Sequence, residues 1–263
     1  TISTGTLSYL LNGSSKASYA HGTVPVSSDL TWETVVTKNL GVDLGFFKNR
    51  LNLTADFYIR DTKDMLTKAM TLPAVYGSSA PKTNAADLRT SGYEITVSWR
   101  DGFNLAGKPF NYGVSASLGD YKTIITKYDN ESKLLSDHYV GKVLGDIWGY
   151  TTDGLFATDE EAAAYAAQVN DKNANKGVYA GKAPYNKLMA GDIKYVDVDG
   201  SGAIDTGANT LDDPGDRKII GNSKPRYNYS LRGDFQWMGI DFQMFLQGVG
   251  KVSWMPAANC IYF

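Results

Sequence analysis

The chain has 263 residues and a formal net charge of −2, so it lacks the overall basic character that nucleic-acid binding requires. Hydrophobic residues make up 43% of the sequence and charged residues 21%, which excludes an intrinsically disordered chain. The 17 Tyr and 27 Gly residues, against 8 Pro, favour an all-β protein, and with Cys260 as the single cysteine no internal disulfide can form.

The first predicted hairpin lies at residues 42–60. Apolar and polar side chains alternate along residues 42–46 and again along 51–60, on either side of a turn at Lys48 and Asn49. A period of two places each set of side chains on its own face of an extended strand. The preceding residues 1–39 are mixed, with a strand-like TLSYLL and a turn-like NGSS.

Two further hairpins repeat this design. Residues 93–100 and 110–118 alternate around a turn-rich segment, and residues 226–237 and 240–247 alternate around Met238-Gly239. Each strand has one apolar and one polar face, with aromatic side chains near its ends. Strands of about ten residues with these features are typical of outer-membrane barrels.

The connections between the strands alternate strictly between short and long. The short links lie at 48–49, 101–108 and 238–239, and the long links at about 61–91, at about 120–225 and from residue 248 onward. Outer-membrane barrels have short periplasmic turns and long extracellular loops. About six strands are legible, too few to close a wide pore. The sequence therefore predicts an all-β fold, a partial transmembrane antiparallel β-barrel with long extracellular loops.

The connection at 120–225 is much longer than the links within compact domains, so we expect it to have structure of its own. Thr158 and Glu161 form a T-x-x-E capping box ahead of an Ala-rich segment that begins with acidic residues. This pattern predicts one short loop helix.

Three stretches carry ordered motifs: LTWETVVTKNLGVDLGFFKNRLNLTADFYIRDTKDML at 30–66, IWGYTTDGLFATDEEA at 147–162, and the region 191–250, with GDIKYVDVDGSGAID and later DDPGDRKIIGNSKPRYNYSLRGDFQWMGIDFQMFLQGVG. Together they resemble the C-terminal barrel of SusC/RagA-type TonB-linked outer-membrane transporters. The resemblance implies a portion of a 22-stranded plugged barrel in the outer membrane of a Gram-negative bacterium.

The resemblance also implies a function by transport, without enzymatic activity. Such a protein imports oligosaccharides or peptides that a SusD-like surface lipoprotein holds over the pore, with energy supplied through TonB. It contacts outer-membrane lipid, and a dimer of transporter–lipoprotein pairs is compatible with it. The family's plug domain, TonB-contacting segment and final strands have no counterpart in this sequence, so residues 1–263 are interpreted as a fragment of the barrel domain.

The sequence DVDGSGAID at 197–205 resembles a calcium-binding loop. Oxygen ligands stand at positions 1, 3, 5, 7 and 9, with glycine at position 6. These ligands would be Asp197, Asp199, Ser201, the backbone carbonyl of Ala203, and Asp205. Ala208 stands where a bidentate Glu belongs, and Asp212 or Asp213 can replace it only if the chain folds back. Calcium is the one cofactor that the sequence predicts, and a metal-free Asx/Gly turn is the alternative.

Aromatic side chains in the 120–225 connection are candidate contacts for substrate or for the lipoprotein lid. An aromatic ring can cover the C–H face of a sugar while the sugar hydroxyls stay hydrated. Packing within the loop is the alternative. The candidates are Trp148, Tyr150, Tyr179 and Tyr185.

No catalytic set is recognisable in the sequence. His21 and His138 lie in loop-like sequence without a partner pattern, and neither a G-x-S-x-G nor a Walker sequence occurs. Two alternatives to a transporter are a soluble carbohydrate-binding β-sandwich and a secreted glycan-processing enzyme whose two carboxylates are distant in sequence. The strict alternation of short and long connections favours the transporter.

Overall fold

The structure is a computed structural model that describes residues 3–11, 15–21, 27–28, 30–68, 81–169 and 188–255. Its strands are β1 Ser3–Leu11, β2 Ser15–His21, β3 Thr34–Phe46, β4 Leu51–Lys68, β5 Lys82–Leu105, β6 Lys108–Lys127, β7 Asp146–Tyr150, β8 Thr152–Leu155, β9 Ile193–Tyr195, β10 Arg217–Asn222, β11 Arg226–Trp237 and β12 Ile240–Lys251. One helix, α1 Asp159–Val169, follows β8. No helix in these described ranges is long and apolar enough to cross a membrane.

Six of the strands form one antiparallel sheet, which we call the wall. Its strand order is β3-β4-β5-β6-β11-β12, so neighbours in space are also successive strands of the hairpins predicted from the sequence. Strands β6 and β11 are hydrogen-bonded neighbours although residues 128–225, which we call the insertion, separate them in sequence. The all-β fold and the six alternating strands are confirmed.

Tight turns join the strands of each hairpin at one end of the wall. Ala106 and Gly107 have φ values of +52° and +73°, and Met238 and Gly239 have φ values of +50° and +81°. Positive φ at both central residues is the type I′ geometry, whose twist matches that of the paired strands. The turn at Met238-Gly239 lies where the sequence predicts it. The link predicted at 101–108 is only two residues long in the structure, because β5 continues to Leu105 and β6 begins at Lys108.

The long connections are shorter than the sequence predicts. Of the predicted 61–91 loop, residues 61–68 belong to β4 and 82–91 to β5, and the predicted 120–225 loop loses residues 120–127 to β6. Backbone pairing continues where the alternation of apolar side chains stops, because a ladder needs only main-chain donors and acceptors. The alternation marks the apolar band of the wall, and it does not mark where the strands end.

The strands also begin earlier than the sequence indicates. β3 starts at Thr34 instead of residue 42, and it pairs with β4 along its whole length. Strands β1 and β2 form a separate antiparallel hairpin within the mixed 1–39 region. Residues 12–14 of the turn-like NGSS lie outside the described residues.

The insertion has its own fold, as predicted from its length. Strand β7 pairs with β10, and β8 pairs with β9. Helix α1 packs over them, and its capping box is present: the Thr158 hydroxyl accepts a hydrogen bond from the Glu161 N–H at 3.2 Å, and the Glu161 carboxylate accepts one from the Ala157 N–H at 2.9 Å. The hydrophobic core of the insertion consists of Phe156, Ala162, Val169, Leu188 and Ile204.

Candidate functional site

The wall has one apolar face that is continuous across all six strands. The cross-strand register aligns Leu44, Leu53, Val97, Ala116, Leu231 and Leu246 in one row. The side chains of this row are substantially exposed, with 42% of Leu44, 40% of Val97 and 53% of Leu246 accessible. A contiguous exposed apolar surface of this extent requires an apolar environment, and no described segment covers it.

The opposite face of the wall is polar. The next row in the same register contains Asp43, Thr54, Thr96, Ser117, Ser230 and Gln247. Hydrogen bonds join its members: the Thr54 hydroxyl donates to the Asp43 carboxylate at 2.7 Å, and the Ser117 and Ser230 hydroxyls are 2.6 Å apart. An apolar face backed by a hydrated polar face is the arrangement of a membrane barrel with a wet lumen.

Aromatic side chains cluster at the tight-turn end of the wall. The rings of Phe103, Phe110, Phe235 and Phe242 follow one another across four strands, with centroid separations of 5.1, 5.7 and 5.2 Å. Nearby, the Trp99 indole N–H donates to the Tyr112 hydroxyl at 3.1 Å. Aromatic rings in such a belt, with the polar groups of Trp99 and Tyr112 among them, suit the boundary between hydrocarbon and headgroups.

The predicted calcium loop folds around three carboxylates. One oxygen each from Asp197, Asp199 and Asp216 lies within 4.8 Å of the others. The side chain of Asp197 accepts hydrogen bonds from the Gly200 N–H at 2.7 Å and the Gly202 N–H at 3.0 Å. Such carboxylates could supply oxygen ligands to a hard cation.

The other predicted ligands of this loop have other partners. The Ser201 hydroxyl donates to the Ala203 carbonyl at 3.2 Å, and the Asp205 carboxylate accepts the Gly207 N–H at 2.7 Å. The structure therefore brings together two of the five predicted ligands, Asp197 and Asp199. Calcium binding by this loop stays a prediction.

Asp216 is the carboxylate that sequence reasoning missed. The chain does fold back after Asp205, as a carboxylate that replaces the missing Glu of position 12 would require. However, the carboxylate that reaches the loop is Asp216 and not Asp212 or Asp213. It is fully buried, and its two oxygens accept the Val198 N–H at 2.6 Å and the Asp205 N–H at 2.8 Å. Burial raises the pKa of Asp216 above its ordinary value. The hydrogen bonds from these two N–H groups lower the pKa, but by less than burial raises it.

Of the predicted aromatic contacts, Trp148 and Tyr150 lie on β7 and are half-buried. The Tyr150 ring packs against Tyr195 at a centroid distance of 5.6 Å and against the insertion core. Tyr179 and Tyr185 lie outside the described residues. Packing within the insertion accounts for the position of Tyr150, and contact with a substrate or lid stays a prediction.

The sequence matches the model of a known family over nearly its whole length. Residues 2–254 match the TonB dependent receptor-like β-barrel. The chain belongs to this family. An exposed apolar face in a TonB receptor barrel needs no second sheet to cover it, so the β-sandwich alternative is not favoured.

Relatives of this TonB receptor barrel confirm the SusC/RagA-type resemblance. The TonB-dependent receptor P3 of Formosa agariphila is 26% identical over 84% of the chain and 21% of its own length. The TonB-dependent receptor SusC of Bacteroides thetaiotaomicron is 26% identical over 64% of the chain and 18% of its own length. The chain thus spans about a fifth of the length of the curated relatives that it matches.

Solved structures show the same fold. The RagAB peptide importer in its open-open state aligns with 95% of the chain and 23% of its own chain, with a TM-score of 0.61 and 16% sequence identity. The RagAB peptide transporter aligns with 94% of the chain at a TM-score of 0.56. The partial barrel fold predicted from the sequence is confirmed, and the sheet of this TonB receptor barrel is open in the described residues.

Proposed function

We propose that this chain forms part of the wall and surface of an outer-membrane importer that takes up oligosaccharides or peptides. The observation that carries this proposal is the apolar face shared by all six wall strands, backed by a hydrogen-bonded polar face. The family match supports the same conclusion. The apolar face contacts lipid and the polar face lines the lumen, so the function is passage and binding without covalent chemistry.

The insertion is the part of the chain best suited to meet a surface partner. It lies at the end of the wall away from the tight turns, and its core of Phe156, Ala162 and Ile204 holds it in a defined shape. A preformed surface loses less conformational entropy on binding than a flexible loop does. We assign it a SusD-like lipoprotein as partner, which would hold oligosaccharide or peptide above the pore.

Energy for uptake would come through TonB, as the resemblance to this family implies. The similarity to a structure described as a peptide importer supports peptide as one cargo class. The similarity to SusC, a TonB-dependent receptor, supports the coupling to TonB. In this proposal, two transporter–lipoprotein pairs assemble as a dimer.

The test uses the full-length transporter, which is expressed with an affinity tag in its native bacterium and purified from the outer membrane. We expect it to require detergent for extraction, to co-purify a lipoprotein, and to support uptake of labelled oligosaccharide or peptide only when TonB is present. Uptake that persists without TonB would overturn the coupling. Recovery of the protein in the aqueous fraction without detergent would overturn the barrel assignment itself.

A further inference from the structure

A cleft opens where the insertion rejoins the wall. Strand β11 pairs with β6 as far as the Asn228–Gly119 pair, and residues 141–144 pair with β6 further along, where the Leu144 N–H donates to the Thr123 carbonyl at 2.9 Å. Among the described residues, no strand partner lies opposite 120–122 on that edge. Two adjoining cavities of about 220 and 380 Å³ occupy this gap. We call them together the junction cleft.

Four cationic side chains from three segments line the junction cleft: Lys122 of β6, Lys224 and Arg226 at the start of β11, and Lys251 of β12. Two carboxylates oppose them. Asp120 binds Arg226, and Asp146 is held by the Asn222 amide at 2.9 Å. Within the described residues, the three lysines form no ion pair, so the cleft has an excess of two positive charges.

Hydrogen bonds of Asn222 fix the sides of the cleft. Its amide nitrogen donates to the Leu144 carbonyl at 3.2 Å, its side-chain oxygen accepts the Lys224 N–H at 2.7 Å, and its backbone carbonyl accepts the Ser253 N–H at 2.8 Å. These bonds hold the backbone of β10, of Lys224 and of the end of β12 beside β6. The four cations therefore converge because of the backbone arrangement, and they do so before any ligand arrives.

We propose that the junction cleft binds a phosphate-class dianion. A phosphate monoester has a charge of about −1.5 to −2 at neutral pH, which matches the excess of two positive charges, whereas a single carboxylate would leave one charge uncompensated. Lysine binds phosphate as a compact point charge. The cleft is also open, so a phosphate group attached to a larger molecule can enter it.

Two sources can supply this chemistry, a phosphorylated lipid headgroup and a soluble phosphate. The cleft lies at the end of the wall opposite the tight turns. If the proposed orientation in the outer membrane holds, this end is near the headgroups of the outer leaflet. Only this choice of source rests on the proposed function, because the charge and the geometry of the cleft do not depend on it.

The experiment uses the full-length transporter and two matched double variants. Lys122→Gln with Lys251→Gln removes two cleft charges, and Lys48→Gln with Lys108→Gln removes two charges at the tight-turn end. Native mass spectrometry measures phosphorylated lipid retained after mild extraction. Calorimetry with inorganic phosphate, after delipidation, measures the soluble anion. Folding of each variant is checked by its heat-dependent mobility on gels.

We expect the cleft variant to lose at least tenfold in retained phosphorylated lipid or in affinity for inorganic phosphate, while the tight-turn variant stays within twofold of the parent. Added salt should weaken phosphate binding to the parent protein. Retained lipid without phosphate binding identifies the headgroup as the source, and the reverse identifies a soluble phosphate.

Absence of both ligands from the parent protein would overturn the proposal, as would equal binding by the two double variants. If the cleft variant does not fold, the salt dependence and saturation of binding to the parent protein decide the question. All of these measurements are made on purified protein without TonB or cargo. A negative result in these binding measurements would therefore not affect the importer proposal. A negative result in the uptake test would likewise not affect the proposal that the cleft binds phosphate.

Discussion

Arg226 holds the carboxylate of Asp120 with two nitrogens of its guanidinium, and its Nε is 2.6 Å from Oδ1 across the boundary between β6 and β11. The two residues are 106 positions apart in sequence. Asp120 is 6% and Arg226 27% exposed at the side chain, and the Tyr227 N–H also donates to Asp120. This ion pair joins β11 to β6 where β11 emerges from the insertion.

Removal of this carboxylate should loosen the start of β11. We expect Asp120→Ala to lower the free energy of local opening by about 2 kcal/mol, because a largely buried guanidinium then lacks its partner. Hydrogen exchange of the peptide around Tyr227 would become roughly thirtyfold faster. The control is Arg50→Gln, which breaks the exposed pair with Asp101 and should change exchange by less than about 0.5 kcal/mol. Equal effects of the two changes would contradict this role for Asp120.

Gly92 is required by the ring of Tyr58, which lies across it on the neighbouring strand. A Cβ at Gly92 would come within 2.6 Å of Tyr58 Cζ and 3.0 Å of the Asp120 carbonyl, whereas a Cβ at Gly233 meets nothing within 4 Å. We expect Gly92→Ala to destabilise the protein by about 2 kcal/mol through overpacking. Gly233→Ala should be neutral or slightly stabilising.

The midpoint of thermal unfolding of the full-length receptor in detergent measures both glycine variants. The prediction requires a lower midpoint for Gly92→Ala alone. If both variants have the midpoint of the parent, the Tyr58 ring can move aside without cost.

The capping box of α1 should contribute measurably to the stability of the insertion. Thr158→Ala removes the hydroxyl that accepts the Glu161 N–H, and we expect a loss of about 1 kcal/mol. Hydrogen exchange in residues 159–165 measures this loss. Thr152→Ala, at an exposed position on β8, serves as the control and should leave the exchange of α1 unchanged.

Glu161 should make the stability of α1 depend on pH. The Ala157 N–H, and then the Lys194 ammonium, hold the pKa of Glu161 below its ordinary value of 4.5. A lowered pKa in the folded state means that this stabilisation is present above pH 4.5 and is lost as the pH falls through the lowered value. The protection factors of the α1 amides should therefore fall in acid, and Glu161→Gln should show a smaller pH dependence. An identical pH profile for parent and variant would rule out this contribution.

The calcium prediction can be tested on the full-length transporter by calorimetry with Ca²⁺ after treatment with a chelator. We expect saturable binding that Asp197→Asn weakens at least tenfold, because it replaces a carboxylate of the three-carboxylate group. Asp212→Asn changes an exposed carboxylate outside that group and should have no effect. Absence of heat at millimolar Ca²⁺ would favour the metal-free Asx/Gly turn.

Asp216 gives the calcium prediction a pH signature. Burial raises the pKa of this carboxyl above its ordinary value of 3.8, so the insertion loses stability as the pH rises from 3.8 through the raised value. A bound cation would offset that loss. We therefore expect Ca²⁺ to slow exchange around Val198 at neutral pH and to have little effect below pH 3.8, where Asp216 is protonated.

The wall was predictable because a single physical constraint acts on every residue in it. Local sequence is enough to predict the alternating strands at residues 51–60 and 226–237 and the turn at Met238-Gly239. None of these predictions needs knowledge of the rest of the chain. The strand extensions at 61–68 and 82–91 were missed because polar side chains there do not alternate with apolar ones.

Contacts between distant segments could not be predicted in the same way. Asp216 joins the acidic loop through a fold-back of the chain, and the Asp120–Arg226 pair spans the whole insertion. The cations of the junction cleft come from three segments, so a net charge of −2 for the whole chain conceals them. Local spacing carries no information about such pairings.

Strands β6 and β11 lie side by side although 98 residues separate Lys127 from Arg226, and β6 extends beyond the Asn228–Gly119 pair as far as Lys127. The order and register of the barrel strands therefore do not depend on the length of what is placed between them. Since the insertion has its own core, we expect it to keep its shape when it is moved into a related barrel. Exchange of the insertion between relatives offers a route to new surface specificity on an unchanged wall.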